Sequence, residues 1–480
     1  MKKNLGIFFL VIFVSLSGCK LGSDFVQPEY EGPLTFRFDS SVTEDTIVNL
    51  RWWELFNDPV LDTLIAEALR NNNDVLIAAA RIEAARANIG YTKADQWPSF
   101  GFSANAGGGN FGGGQLFNYN ASSFSAYPEM YWEIGFWGKY RRLNEAARAD
   151  LVASEYGLRT IQMGLISAVA STYFILLDNK AKLEISRRTL ATRDSGLRII
   201  QSRYKYGIIP EIDLNQAQIQ KAVSAAAVPI YKRAVAFTEN SLSILLGHYP
   251  HAIETGIPLI DQEEPPPIPK GLPSELLLRR PDVQEALSSY EAQNALIGAA
   301  EAMRWPSLNI TGLLGYASND LLALNTGGFA WAAAGSLTGP LFQFGKNKRR
   351  VDIEKANTKA ALINYKNVAM QAFKEVENAL TAIRTTKEEL AAQEQRYIAA
   401  INAEYLSEER YSKGQTSYLE VLESQRQSFE AQLQYSKTRR DLLNAYVALY
   451  KALGGGWLSP EEEQAFIRAK MEADSTKMNK

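Results

Sequence analysis

The stretch RYSKGQTSYLEVLESQ, from Arg410 to Gln425, decides how this chain is organised. A related stretch, RYKYGIIPEIDLNQAQ, lies 207 positions earlier, from Arg203 to Gln218. In both, a long helical pattern ends at a glycine, and a second helical pattern begins a few residues later with an acid in its first turns. This arrangement is typical of the tip of a helical hairpin. Two such tips predict a chain made of two copies of one supersecondary unit.

The region before each tip is repeated as well. Asp74 to Ser99 matches Asp282 to Ser307, and the triplet Trp97-Pro98-Ser99 returns as Trp305-Pro306-Ser307. In the first copy a helix is expected to start at Asp58-Pro59, with aspartate as the cap and proline in the first turn. The helical pattern then continues to about Ala94.

Two kinds of pattern follow one another in each copy. Residues 97–137 and 305–344 are rich in aromatic and small residues and poor in helix formers, so each predicts a pair of strands joined by a loop. Strands of about ten residues are long enough to cross a bilayer. Aromatic residues near the first pair's ends are typical of membrane-interface girdles: Trp97, Tyr127, Tyr131, Trp132 and Trp137.

Proline-free runs start at Lys139 and Lys346 and continue to Tyr206 and Ser412. Apolar residues recur in them every seven positions, which indicates coiled-coil packing. A helix of this length reaches roughly 100 Å, longer than any globular core.

Four strands per chain cannot close a barrel, and an open sheet edge in lipid leaves backbone groups unpaired. Closure needs at least about eight strands, so several chains must share one barrel. Two chains would give eight strands and three would give twelve. Twelve fits better, because the long helices must form a ring wide enough to continue the barrel, although the sequence leaves two chains open.

Composition argues against several classes of protein. A net charge of −2 gives no sign of a nucleic-acid-binding surface. Two histidines and one cysteine leave no zinc motif and no internal disulfide, so no metal or cofactor is expected. No run of eighteen or more apolar residues exists, so no transmembrane helix is expected. We also find no nucleophile motif and no acid/base pair, and we predict that the chain is not an enzyme.

The N-terminus resembles a bacterial lipoprotein signal. Lys2 and Lys3 precede an apolar stretch from Leu5 to Leu16, and the sequence Leu-Ser-Gly-Cys ends at Cys19, the only cysteine. The resemblance implies that Cys19 carries a diacylglycerol thioether and an N-palmitoyl group. One lipid-bearing cysteine provides an anchor and not a membrane span. The alternative is a buried free cysteine after a cleaved signal.

These motifs together resemble the TolC/OprM family of outer-membrane efflux lipoproteins. The resemblance also includes RWWELFNDPVLDTLI (Arg51 to Ile65), LPSELLLRRPDV (Leu272 to Val283) and a Gly-Lys pair after each strand region, and it covers nearly the whole chain. It implies an α+β membrane protein: a homotrimer whose twelve-strand outer-membrane barrel continues into a long periplasmic α-helical barrel with an equatorial collar.

The implied function is the exit duct of a tripartite efflux pump. Its partners would be a periplasmic adaptor protein and an inner-membrane transporter of the resistance-nodulation-division type, and its location would be the outer membrane. Two alternatives stay open: the outer-membrane duct of a type I protein secretion system, and a periplasmic coiled-coil structural lipoprotein whose strands form a soluble sandwich.

The sequence predicts six segments. They are a signal peptide at 1–18, a lipid-anchored extended segment at 19–57, repeat 1 at 58–247 with its tip at 203–218, a proline-rich linker of the equatorial region at 248–272, repeat 2 at 273–453 with its tip at 410–425, and an equatorial tail at 454–480.

Candidate functional residues lie at the tips. Glu420 and Glu423 lie on one face of a helix, and in a trimer they would form two stacked acidic rings. The resemblance places them at a periplasmic constriction, where carboxylates favour cations and crowding raises some of their pKa values. Tyr411 and Asp213 match the family's gate latch, and Thr416 stands where some members have an arginine. The alternative for the acids is a solvated helix face.

The turns themselves contain Gly207, Ile208, Gly414 and Gln415. The resemblance implies that these residues dock the adaptor protein. The simpler reading of each glycine is a helix C-cap and nothing more.

Overall fold

The computed structural model describes residues 21–29, 51–110, 120–265, 277, 279–324 and 328–455. The predicted signal peptide, Cys19 and nearly all of the predicted tail lie outside these residues. The chain divides into two compact units, and each takes segments from both repeats. Unit 1 comprises Met1–Glu29, Ala80–Glu155 and Glu285–Asn367, and unit 2 comprises Tyr30–Ala79, Tyr156–Gln284 and Val368–Lys480.

The elements follow the predicted order twice. The helices are α1 (Pro59–Asn71), α2 (Asn73–Ala94), α3 (Lys139–Lys205), α4 (Glu211–Leu245), α5 (Pro281–Ala302), α6 (Lys346–Ser412) and α7 (Tyr418–Ala452). The strands are β1 (Ser99–Asn110), β2 (Asn120–Ile134), β3 (Ser307–Ser318) and β4 (Gly328–Thr338). Short 3-10 helices lie at Trp52–Phe56 and Leu259–Asp261. The four predicted strands and the two long helices are therefore confirmed.

Glycines show the repeat in the backbone. At three points per copy a glycine adopts a positive φ between 71° and 83°, a conformation that other residues rarely adopt. The members of each pair lie 207 positions apart, after the second strand of each hairpin, at each tip and after each return helix: Gly138 and Gly345, Gly207 and Gly414, Gly247 and Gly454. The same chain reversals thus occur at matching positions in both copies.

The seven-residue pattern of α3 corresponds to its buried side. Val169 and Leu176, which lie seven residues apart, are fully buried, whereas Tyr204, four further steps of seven along the same pattern, is exposed. Among the described residues, α3 also contains the one stretch that is long and apolar enough to cross a membrane by composition, and half of that stretch is buried within the chain. This is weak evidence for a membrane helix, because the core helix of a soluble protein meets the same criteria.

The continuous helical pattern expected as far as Ala94 is broken at Asn72. This residue has an extended backbone, and its side-chain oxygen accepts from Asp74 N at 2.9 Å and caps α2. Its amide nitrogen donates to the carbonyl oxygen of Leu245 at 2.9 Å, where α4 ends. We call this contact joint 1.

Repeat 2 has an equivalent contact, joint 2. The buried Arg280, at the start of α5, donates to the carbonyl oxygen of Ala452 at 3.2 Å, where α7 ends. It also pairs with Asp282 at 2.6 Å and with Glu375 at 2.7 Å. Leu245 and Ala452 are 207 positions apart, so both repeats close at the same place, one with an amide and the other with a guanidinium.

The core of unit 2 forms around the segment that precedes α1. Trp52 is buried and stacks on Tyr450 with ring centroids 5.3 Å apart, and Phe56 packs on Phe174 at 5.0 Å. The linker also contributes to this core, since Ile253 and Leu259 are buried there. Burial of these large apolar side chains stabilises unit 2.

Asp58 is the polar centre of that core. It is fully buried, caps α1 through Val60 N at 3.0 Å, and accepts from the Tyr173 hydroxyl at 2.7 Å and from Gln262 Nε2 at 2.8 Å. The Tyr173 hydroxyl in turn accepts from Gly256 N at 2.9 Å. One carboxylate therefore connects α1, α3 and the linker.

Unit 1 contains the four-stranded antiparallel sheet, in the order β1-β2-β3-β4. The register pairs Phe102 with Pro128 and Tyr316 with Phe329. In this order β1 and β4 are edge strands, each with one side that has no strand partner in the described chain.

The fold predicts that Asp58→Ala destabilises unit 2. The substitution removes a helix cap and leaves the Tyr173 hydroxyl without its acceptor, at a combined cost of about 2–4 kcal/mol. Thermal unfolding of the detergent-solubilised protein, followed by its helical circular dichroism signal, should show a clear drop in Tm. Asp95→Ala, at an exposed aspartate, is the control and should change Tm little. Equal Tm values for the two variants would contradict the role of Asp58.

Candidate functional site

Each helical hairpin turns through the same backbone motif. At the first tip, Gly207 N donates to Tyr204 O at 2.9 Å and Ile208 N donates to Arg203 O at 2.9 Å. At the second tip, Gly414 and Gln415 make the matching bonds. This is a Schellman C-cap. A Cβ added at either glycine would meet no atom within 4 Å, so the positive φ, and not a lack of space, requires glycine there.

The residues predicted to dock an adaptor are exposed. Tyr206 and Ile208 are 74% and 68% exposed, and Gly414 and Gln415 are exposed as well. The first tip therefore presents apolar side chains and the second presents mainly polar ones. Beneath the tips a small core of Leu197, Ile200 and Ala217 fixes the ends of the helices.

Glu420 has one partner across its hairpin and one in the turn before its helix. Arg410 Nη1 donates to Glu420 Oε1 at 2.8 Å, and the Thr416 hydroxyl donates to Glu420 Oε2. Thr416 stands at the position where, by the resemblance, some family members have an arginine. Arg410 supplies a guanidinium to this carboxylate from ten residues earlier.

Glu423 is paired along its own helix. Arg426 donates to both carboxylate oxygens, at 2.6 and 3.0 Å, and Gln427 Nε2 donates at 2.7 Å. The Arg426 bonds, followed by that of Gln427, lower the pKa of Glu423 to about 2. From the sequence, crowding of carboxylates from several chains is expected to raise some of their pKa values. Within one chain, however, the charge nearest to Glu423 is the Arg426 guanidinium, which lowers its pKa.

Arg426 also contacts Glu430 at 2.9 Å. The candidate constriction therefore contains two guanidiniums, of Arg410 and Arg426, beside three carboxylates. Neither arginine contact is predicted by the sequence pattern described above. Arg426 was visible at the i+3 position from Glu423, whereas the Arg410 contact depends on closure of the hairpin.

The predicted latch residues do not bond to each other within the described chain. The Tyr411 ring lies 5.3 Å from that of Tyr418 and 4.9 Å from the Arg203 guanidinium, and its buried hydroxyl has no hydrogen-bond partner. Burial raises the pKa of Tyr418 to about 12, and Tyr411 and Asp213 add to the shift. A buried hydroxyl without a partner costs about 1–3 kcal/mol, so the Tyr411 hydroxyl is a donor that no described protein atom satisfies.

The two faces of the sheet have opposite character, because successive side chains point to opposite sides. One face, the apolar face, contains Phe100, Phe102, Phe124, Ala126, Pro128, Met130, Trp132, Leu308, Ile310, Leu314, Tyr316, Phe329, Trp331 and Leu337. The other, the polar face, contains Ser99, Ser103, Asn105, Ser123, Ser125, Tyr127, Glu129, Tyr131, Glu133, Ser307, Asn309, Thr311, Ser336 and Thr338.

The apolar face is uncovered in the described chain. Phe100 is 78% exposed, and Trp331 and Leu337 are 70% and 73% exposed. The girdle prediction is wrong for Tyr127 and Tyr131, since the register puts both on the polar face. There the Tyr131 hydroxyl donates to Asn309 Oδ1 at 3.0 Å.

No metal-binding group of three or more His, Cys, Asp or Glu side chains occurs in the described part of the chain. His248 and His251 are exposed, with ring centroids 6.0 Å apart, and His248 Nε2 lies 2.7 Å from Glu67 Oε1.

The tip geometry predicts that Arg426→Gln raises the pKa of Glu423 from about 2 towards its ordinary value of 4.5. A depressed carboxyl pKa contributes stability that is present above pH 4.5 and is lost as the pH falls through 2, so the variant, whose pKa lies nearer 4.5, should lack most of this contribution. Carboxyl ¹³C titration with labelled glutamate, with the signal assigned by Glu423→Gln, measures the pKa. Lys413→Gln, which removes the partner of Glu409, should leave it unchanged; an unshifted pKa in Arg426→Gln would contradict the pairing.

Known proteins resemble this chain along nearly its whole length. The solvent efflux pump outer membrane protein SrpC of Pseudomonas putida is 32% identical over 474 residues, which cover 95% of this chain and 98% of that protein. The cation efflux system protein CusC of Escherichia coli is 32% identical over 463 residues, which cover 93% and 97%. The solved CmeC outer membrane channel of Campylobacter jejuni matches with a TM-score of 0.85 at 26% identity, over 94% and 98%.

The profile of the family described as outer membrane efflux protein matches residues 64–248 and 272–455, which correspond closely to the two predicted repeats. It is a family of outer membrane efflux proteins and not of enzymes, which supports the predicted location and the prediction of no enzymatic activity. The resemblance seen in the sequence is thereby confirmed, and the chain belongs to the outer membrane efflux protein family.

Proposed function

We propose that this chain forms a homotrimeric outer-membrane channel, anchored by lipid on Cys19, that serves as the exit duct of a tripartite efflux pump. Its partners in this proposal are a periplasmic adaptor protein and an inner-membrane transporter of the resistance-nodulation-division type. The channel is passive, and its periplasmic end is gated at the helical tips.

The four-stranded sheet supports the proposal most strongly. Its apolar face is exposed and continuous, and in water such a face leads to aggregation. Hydrocarbon is a solvent that suits this face, but only when the edge strands β1 and β4 are also paired. Further copies of the chain pair both edges, and three copies close a barrel of twelve strands with its polar face inside.

The competing soluble sandwich needs a second sheet to cover the apolar face. The described residues contain one sheet, so this reading lacks the partner that it requires. The relatives found by comparison are named for efflux, which favours an efflux duct over a protein secretion duct.

The tips support a gate. Tyr411 has a buried hydroxyl in need of a partner, and the Glu420 and Glu423 pairs are exposed ion pairs that change partner at small energetic cost. A closed state in which Tyr411 bonds to Asp213 of a neighbouring chain satisfies the hydroxyl. The apolar first tip, with Tyr206 and Ile208, offers a surface for the adaptor.

In this proposal the channel does not select the substrate that is exported. SrpC and CusC are each 32% identical to this chain, and their names assign them solvents and cations, which are chemically opposite cargoes. We therefore assign cargo selection to the transporter.

The shared barrel predicts three chains per particle. Native mass spectrometry of the detergent-extracted protein should give a trimer, and each chain should carry the added mass of three acyl chains. Cys19→Ser should remove the lipid mass and leave the trimer intact, because the anchor plays no part in strand pairing. A monomer that is soluble without detergent would contradict both the shared barrel and the proposed channel.

The tip carboxylates predict cation preference. Replacing Glu420 and Glu423 together by Ala removes two negative charges per chain and leaves Arg410 and Arg426 without these partners. The ratio of cation to anion permeability, measured from reversal potentials in planar bilayers, should therefore fall.

Replacing both acids by Asp keeps the charge, so this matched control should retain the preference for cations. Unchanged selectivity in the Ala variant would contradict the acidic rings, provided that the variant still forms trimers.

A further inference from the structure

The strand regions differ from the rest of the chain in charge. From Ser99 to Ile134 and from Ser307 to Thr338 the sequence contains three charged residues, Glu129, Glu133 and Asp320, and no lysine, arginine or histidine. Asp320 lies between β3 and β4, so the two charges within the strands are Glu129 and Glu133, both on β2.

The two glutamates have different surroundings. Glu133 is neutralised, because Lys139 Nζ lies 3.0 Å from Oε1 and the Tyr140 hydroxyl donates to Oε2 at 2.8 Å. Glu129 is exposed, and in the described chain its carboxylate accepts one hydrogen bond, from the Ser103 hydroxyl at 2.8 Å. No cation pairs with it there, and a neutral donor leaves its charge in place.

The position of Glu129 directs that charge to the polar face. Its neighbours in register are Gly101 on β1 and Leu313 on β3, and neither is charged. Gly101 has no side chain to cover the carboxylate: a Cβ added there would lie 3.5 Å from Glu129 Oε1. The charge is therefore open to the space that the polar face borders.

We propose that Glu129 determines ion selectivity inside the β-barrel, as a ring of one unpaired carboxylate per chain that favours cations, separate from the acids at the helical tips. This inference rests on the proposed trimeric channel, in which the polar face lines the lumen. A ring of like charges on a wall of low dielectric raises the local concentration of cations and lowers that of anions.

The test uses the full-length lipidated protein in planar bilayers of zwitterionic phosphatidylcholine. The background carries Glu420→Ala and Glu423→Ala, so that selectivity reports the barrel and not the tips. Under a KCl gradient at ~0.1 M, Glu129→Gln should lower the K⁺/Cl⁻ permeability ratio about twofold, and the difference should vanish near ~1 M, where the Debye length is about 3 Å.

Two further variants complete the comparison. Ser103→Ala removes the hydrogen bond but not the charge, so it should keep the ratio. Glu129→Lys places a cation at the same point and should lower the ratio further than Glu129→Gln. This graded order is not expected if the residue only supports the fold.

The results separate the two levels of the proposal. A conducting channel whose ratio is the same with Glu, Gln and Lys at position 129 would overturn the role of Glu129 and leave the channel function intact. A protein that is a monomer soluble without detergent would overturn the channel function, and the role of Glu129 with it.

Discussion

Unpaired backbone groups along β1 and β4 are the constraint on which the rest of the structure depends. Each edge presents amide and carbonyl groups that lipid cannot hydrogen-bond, so the sheet is incomplete as a single chain. The exposed apolar face adds to this requirement, since it has no cover among the described residues. Assembly is therefore part of the proposed fold, because the barrel wall takes strands from several copies.

The helical tips show how electrostatics and hairpin closure act together. Each candidate constriction acid is already held by an arginine of its own chain, Glu420 by Arg410 and Glu423 by Arg426. The lowered pKa of Glu423 keeps that acid ionised at low pH, and the two guanidiniums offset part of the charge of both acids. A gate made from such pairs exchanges one exposed ion pair for another, which involves a small change in free energy in either direction.

Local patterns were enough to predict most of the fold. The long helices were placed to within one residue at both ends, because proline-free heptads end at a glycine that must adopt a positive φ. The strands were predicted because aromatic and small residues alternate over lengths that suit a bilayer. Both signals are local in sequence, so they could be recognised without knowledge of the neighbouring elements.

What the sequence did not reveal depends on contacts between distant residues. The break at Asn72 was hidden within a helical pattern, since its cause is a bond to Leu245 on another helix. The girdle assignment of Tyr127 and Tyr131 failed because it used their position along the strand and not their face. The Arg410 pair and the unpaired state of Glu129 also become visible only when the neighbouring elements are in place.

The two joints have a further consequence. Joint 1 connects Asn72 to Leu245 and joint 2 connects Arg280 to Ala452, so each joint holds together two ends of the same repeat. Neither joint uses the covalent connection through the linker. Each repeat is therefore closed by its own contact, and the covalent linker between the repeats sets their ratio at one to one. Expressed as two separate polypeptides, each half would still carry the contact that closes it.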